Sequence, residues 1–417
     1  MTLRTPTPPR RDFDVVIAGG GMVGAGLAAL LLHTPATRGL RVALVEPRPP
    51  ATPLAGEPLD LRVSALSRAS EQLIRAVGAW PRVLERDPCA YERMIVWDAA
   101  SPVGGRGTLS FDAAEAGEPD LGHIVENRAV AAALLERALA CGATLLRTAL
   151  TGIELEPDLA RAVTAERRVV AGLFVAADGT DSALRAWAGI GGSGQSYPQE
   201  AVVAHLRPER SHGGAARQRF LTSGPLALLP LADGRVSLVW STTPGSAAEL
   251  VAADDAAFGA AVTAASDGVL GTLTPTTVRA RFPLRRFHAA SYFRPRCALV
   301  GDAAHAVHPL AGQGVNLGLL DVAALAAEIA TALANGEDYG DARALGRYSR
   351  ARRAENALMA AAFDGLYRLF RDERAGVARL RRFGLGLVNR AGPVKQLFVQ
   401  RALGLAAERA GARSARP

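Results

Sequence analysis

The chain has 417 residues, enough for about two or three ordinary domains, and with 49% hydrophobic and 21% charged residues its composition is globular, which excludes a disordered chain. Its net charge of +8 sits at the end: from Arg343 onward 17 basic residues face 5 acidic ones, leaving −4 on the first 342 residues. Only Lys395 among the 48 basic residues is not Arg, aromatic residues make up 5%, and no DNA- or RNA-binding motif is present, so nucleic acid is not expected as a partner.

The first dozen residues are basic but lack an apolar stretch, so they read as a loose tail and not as a secretion signal. A cytosolic setting is expected, and three widely spaced cysteines, Cys89, Cys141 and Cys297, read as buried thiols. No run matches the roughly 18 to 20 apolar residues of a membrane span, because the best candidate, Leu319 to Ala334, carries Asp321 and Glu328.

Residues 13–46 predict a βαβ unit: a strand FDVVIAG, a glycine turn, a helix MVGAGLAALLLH and a second strand RVALVE. Gly19, Gly21 and Gly24 form G-x-G-x-x-G in the turn, where small residues let a pyrophosphate approach the positive end of the helix. Glu46 closes the second strand, where an acid accepts from a ribose. A second match, Gly189 to Gly194, follows a helix-like stretch instead of a strand and reads as a loop.

Downstream, Asp178 and Gly179 follow the apolar run GLFVAA and precede a helix that Thr180 or Asp181 is placed to cap. Asp178 is either a cap itself or a cofactor contact. Gly301 and Asp302 repeat the strand-then-GD pattern, and two strand-terminal acids behind one glycine fingerprint suit an extended cofactor such as FAD. His305 and His308 do not read as a zinc site, which needs three or four ligands, and no G-x-S-x-G elbow supports a hydrolase. No metal is expected, and the hard chemistry is assigned to a cofactor.

Taken together, GGGMVG, DLRVSALS at 60–67, VEN-R at 125–128, ADGTDS at 177–182 and GDAAHAVHPLAGQGVN at 301–316 resemble the flavoprotein aromatic hydroxylases of the para-hydroxybenzoate-hydroxylase fold. More narrowly, the chain resembles the ubiquinone-biosynthesis hydroxylases from about residue 13 to about residue 405. The resemblance implies an α/β fold: a Rossmann-like FAD-binding domain, an antiparallel-sheet substrate domain and C-terminal helices. The expected limits are 13–80, 111–190 and 286–345 for the first, 81–110 and 191–285 for the second, and 346–417 for the helical region. It also implies that Arg62 and Arg128 contact the adenine-side ribose and phosphates, that Asp178 lies near the pyrophosphate, and that Asp302 binds the ribityl chain. Surface charge for Arg62 and a helix-face cation for Arg128 are the plain alternatives.

The implied chemistry is hydroxylation of a phenol or quinol ring through a flavin C4a-hydroperoxide, with O2 as oxidant and NAD(P)H, directly or through a separate reductase, as electron donor. Backbone N–H groups from Gly312 through Gly314 and Val315 to Asn316, at the start of the helix VNLGLLDVAALAAEIA, suit negative charge on the flavin. Pro309 is expected beside the reactive edge of the ring, and His308 is either a proton carrier or a hydrogen-bonding prop.

Between about 196 and 285 alternating residues around glycine turns predict antiparallel strands, with Phe220 and Trp240 as lining for a polyprenylated ring or as ordinary core. The stretch RLRRFGLGLVNRAGPVKQLFVQRALGL interleaves Arg with apolar residues, as a segment lying on anionic lipid or meeting a biosynthetic complex would. Three functions therefore stand open: the ubiquinone-pathway hydroxylase, a hydroxylase of a soluble aromatic, and a flavin-binding scaffold subunit.

Overall fold

Val15, Val16 and Ile17 have no exposed surface, so strand β1 (Phe13–Ala18) lies inside its sheet and both its faces are covered. The computed structural model describes residues 11–54, 56–105, 107–306, 314–371 and 374. Parallel partners flank β1 on both sides: β2 (Val42–Val45) and then β8 (Thr144–Leu146), and β11 (Arg168–Ala176) and then β19 (Cys297–Leu299). β18 (Phe293–Arg294) adds an antiparallel edge, and β9 (Leu150–Leu155) and β10 (Ala160–Thr164) extend β11. Helix α1 (Met22–His33) packs on α5 (Asn127–Ala140) and α9 (Gly314–Ala334), all sharing one core with this sheet.

The second sheet is wound around the long strand β12 (Gly192–Pro208), which pairs with β15 (Val236–Thr242), β16 (Leu273–Pro275) and β17 (Ala280–Ala289). β14 (Gly224–Pro230) and β13 (Ala215–Leu221) continue it, followed by β5 (Arg93–Asp98) and β6 (Thr108–Asp112), while β20 (His305–Ala306) joins β17. The pairing is antiparallel except between β13 and β5. One face of this sheet presents Val202, Leu226 and Leu238 to α7 (Pro244–Ala252) and α8 (Asp255–Ala265). The other presents Ala216 and Leu229 to Ala65 of β3 (Val63–Ser67) and Ile124 of β7 (Gly122–Glu126), which with β4 (Cys89–Ala90) form a small third sheet. That second face looks toward the first domain.

Short helices α2 (Arg68–Ala76), α3 (Trp80–Leu84), α4 (Ala113–Ala116) and α6 (Ala183–Trp187) connect the sheets, and α10 (Ala342–Arg371) runs for 30 residues. Strand limits do not coincide with the expected domain limits. β6 runs through position 111, β17 runs through 286, and α10 starts before 346. Gly192 and Gly194, read from sequence as loop, belong to β12, and a Cβ on Gly192 would come within 2.5 Å of the His288 carbonyl oxygen. Their smallness serves close strand approach, not a phosphate.

The helix expected at VNLGLLDVAALAAEIA is α9, which despite Asp321 and Glu328 is by length and composition apolar enough to cross a bilayer. Here it is a core helix, half buried, with Asp321 fully inside the protein. The three cysteines are free thiols; Cys297 is buried, and Cys89 and Cys141 are half-buried.

Candidate functional site

The turn between β1 and α1 has room only for glycine at two places. A Cβ on Gly19, whose φ is +109°, would lie 2.3 Å from the Ala177 carbonyl oxygen, and one on Gly24 would lie 2.0 Å from that of Gly19. At Gly21 an added Cβ would meet nothing within 4 Å, because this residue opens onto a cleft. Gly21 starts α1 without a side-chain cap, which leaves the first-turn N–H groups and the positive helix end for a ligand.

The cleft holds about 460 Å³ and is lined by Gly19, Gly21, Glu46, Thr148, Asp178 and Trp187, among others. Just past β2, the Glu46 carboxylate accepts from the N–H groups of Gly20 and Arg48, both at 2.9 Å. Small residues at a helix N-terminus with an acid farther out fit a dinucleotide: pyrophosphate at Gly21, adenosine ribose at Glu46.

Asp178 lines the same cleft, but both its carboxylate oxygens are engaged. The Ser182 hydroxyl donates at 2.5 Å and the Leu184 N–H at 3.2 Å, so the side chain braces the start of α6. The helix cap is Ser182, whose Oγ accepts from the Arg185 N–H at 3.0 Å, and not Thr180 or Asp181. Asp181 pairs with Arg285 instead.

At the other end of the site, Gly301 (φ +59°) donates its N–H to Asp321 Oδ2 at 3.0 Å. A Cβ on Gly301 would lie 3.2 Å from Val23, and one on Gly318 2.7 Å from it, so this turn, α1 and α9 meet almost backbone to backbone. Asp302 follows, and its side chain is exposed. Desolvation by the protein packed around it nonetheless raises its carboxyl above the ordinary range, as does the charge of Asp321, opposed by the charges of His305 and Arg62. The Arg62 side chain is exposed. Arg128, by contrast, pairs with Glu57 at 2.8 Å and Glu126 at 3.3 Å, so a phosphate there would compete with two carboxylates.

Gly314, Val315 and Asn316 open α9. The Asn316 side chain is spent on structure: Oδ1 accepts from the Ser67 N–H at 2.9 Å and the Ser70 hydroxyl at 2.8 Å, and Nδ2 donates to Ala65 at 2.8 Å. What it offers a flavin is backbone. His308, Pro309 and Gly312 lie outside the described residues.

Phe220 and Trp240 cannot line one cavity. Trp240 stands opposite Leu226 and Val202 in register, on the face covered by α7 and α8, whereas Phe220 is on the other face. Phe220 stacks on Phe370 of α10 with ring centroids 3.9 Å apart. Of the pair, only Phe220 looks toward the first domain, and Trp240 is withdrawn as substrate lining.

The sequence reading passed over the group that holds this end of the site together. Asp321, 0% exposed, takes Gly301 and His305 Nε2 (2.5 Å) on one oxygen, and Arg352 Nε (2.8 Å) and Asn356 Nδ2 (3.0 Å) on the other. Burial alone would raise its carboxyl; His305 and Arg352 reverse that and hold it low. A lone acid in an apolar helix beside a histidine motif was the available signal, since a buried carboxylate requires partners. Arg185 was also missed: its guanidinium donates to Thr180 and Ala303 carbonyls, both at 2.9 Å, tying together the two turns that flank the crevice.

Among the described residues the one grouping of metal-type ligands is Glu71, Asp120 and His123. Arg68 sits between them, 3.5 Å from Glu71 and 3.3 Å from Asp120, and Arg75 reaches Glu71 at 2.6 Å. Guanidinium groups thus fill the place a cation would take.

Residues 12–362 match the family described as FAD binding domain. The chain is 39% identical to ubiquinone hydroxylase UbiL of Rhodospirillum rubrum, covering 94% of this chain and 89% of that protein. It is 36% identical to the 3-demethoxyubiquinol 3-hydroxylase of Escherichia coli, with 94% and 98% covered. It is also 36% identical to the mitochondrial ubiquinone biosynthesis monooxygenase COQ6 of Homo sapiens, with 92% and 91% covered. Among solved structures, p-nitrophenol 4-monooxygenase PnpA of Pseudomonas putida superposes with a TM-score of 0.73 at 17% identity, covering 94% of this chain and 98% of that one. At that identity the likeness speaks for the fold.

Proposed function

The chain belongs to the FAD-binding-domain family, and from that premise we propose that it is an FAD-dependent monooxygenase hydroxylating the ring of a polyprenyl phenol or quinol in ubiquinone biosynthesis. The observation that carries this reading is the match along nearly the full length of both chains to three proteins named for that pathway. NAD(P)H is the electron donor typical of the family. Bound FAD supplies the electron transfer and oxygen activation that no side chain can.

The chain's own part is to bind, orient and exclude water. The α1 N-terminus and Gly19, Gly21 and Gly24 would hold the pyrophosphate, Glu46 the adenosine ribose and Asp302 the ribityl hydroxyls. Backbone N–H groups of Gly314 to Asn316 would face the flavin's developing negative charge. Asp321 fixes the Gly301 turn and accepts from His305 Nε2, while His305 Nδ1 has no partner among the described residues. His305 is therefore a positioned imidazole.

Purified full-length chain given FAD, O2, reductant and a polyprenyl phenol is expected to yield product heavier by one oxygen on mass spectrometry. Recovery of unchanged phenol from protein that holds FAD would contradict the proposal. The basic stretch at 379–405, outside the described residues, supports a cytosolic enzyme that touches the inner membrane surface where such a substrate resides. Sedimentation with anionic liposomes should fall when residues 380–417 are removed; equal sedimentation would refute that placement.

A further inference from the structure

The dinucleotide cleft has an aromatic wall that the glycine fingerprint does not explain. Of the four tryptophans, Trp80 and Trp97 are buried, Trp240 packs under α7 and α8, and Trp187 alone is exposed, at 39%. Trp187 ends α6 and lines the cleft together with Thr148, Ala149, Leu150, Glu46 and Pro47. Its indole has no aromatic or cation partner among the described residues. An exposed tryptophan at a binding cleft is costly to leave wet and well suited to a flat ring.

The order of strands says which ring. From Gly21 at the end of β1, the cleft runs past Glu46 at the end of β2 to residues 148–150, beyond the end of β8, the next parallel strand. A cofactor with its pyrophosphate at Gly21 and its ribose at Glu46 has only its purine left to place there. α6 packs on β9, which brings Trp187 over this same outer end. We propose that Trp187 is the stacking platform for the adenine ring of FAD, acting by dispersion and offset stacking and not by hydrogen bonding. This rests on the FAD reading above.

The test is a flavin and nucleotide titration of the full-length chain. Trp187→Ala is expected to weaken FAD about tenfold, the scale of one lost base–aromatic stack, while Trp187→Phe retains most of the affinity. 5′-AMP should quench indole emission in the native chain and not in Trp187→Phe, and should compete with FAD for the native chain. Equal FAD affinity in native and Trp187→Ala chains, with 5′-AMP quenching unchanged in Trp187→Phe, would overturn the stacking role while leaving FAD binding intact. A native chain that takes up no FAD would overturn both the stacking role and the reading beneath it. Circular dichroism of Trp187→Ala, an exposed site, separates lost affinity from lost fold.

Discussion

Asp321 on the dinucleotide side and His205 on the sheet side are buried polar groups handled in opposite ways. On the dinucleotide side Asp321, fully buried, has its oxygens engaged by four donors from the Gly301 turn, β20 and α10. On the sheet side His205 and Ser237 stand opposite each other in register on β12 and β15, both 0% exposed, and among the described residues neither ring nitrogen of His205 nor Ser237 Oγ has a partner. Gln218 Oε1 on β13 is a fourth such atom. A buried carboxylate with both oxygens engaged resists any single change, whereas unpartnered buried groups each cost stability that an apolar replacement would recover. The first region is built for one geometry; the second tolerates substitution.

The largest effect should come from breaking the saturated side. Asp321→Leu takes from the buried Arg352 guanidinium its buried carboxylate, leaving it Glu355 and Asn356, and is expected to cost about 3 kcal/mol in urea denaturation, with Arg352→Met restoring part of it in the double variant. Next is Glu71, whose carboxyl burial would raise but which His123 and Arg75 pull down to about 2 from 4.5. Because its folded value lies below the unfolded one, about 3 kcal/mol of stability is present above pH 4.5 and lost as pH falls toward 2. Glu71→Gln should flatten that part of the stability–pH curve. Gly24→Ala forces a methyl against the Gly19 carbonyl, so we expect about 1–3 kcal/mol of overpacking and a chain purified without its yellow flavin.

Changes on the sheet side should be smaller and of the other sign. His205 is held down to about 4, first by burial and then by Arg235, so it is neutral when folded at pH 7. His205→Leu is expected to stabilise by about 1 kcal/mol at pH 7. The gain should widen as pH drops from 6.5 toward 4, where only the unfolded histidine takes up a proton. Trp240→Phe, on the α7 and α8 face, should leave hydroxylation within about twofold, because removing an Nε1 that has no partner among the described residues changes little; a large fall in rate would restore it to the cavity.

Legibility followed the same division. Gly19, Gly24 and Gly301 were legible as crowded turns, where a Cβ would meet backbone or Val23, and Glu46 as the acid just past a strand. For Asp178 and Arg128 the sequence showed the charge but not its partners, a serine hydroxyl in one case and two carboxylates in the other. Trp240 failed because hydrophobic alternation gives two faces without saying which covers helices and which faces the other domain. Arg352 and Asn356 were beyond reach of any local pattern, and Asp321 gave only the signal of a lone acid in an apolar helix, since its partners come from 16 residues before it and from α10 and meet it only in the fold.

The central claim is hydroxylation of a ubiquinone precursor, and quinone intermediates of a strain deleted for this gene test it most directly. Mass spectrometry should show loss of ubiquinone and accumulation of a prenylated ring lacking one oxygen. The native gene should reverse this, and Gly24→Ala should not. An unchanged quinone profile in the deletion strain would contradict the account.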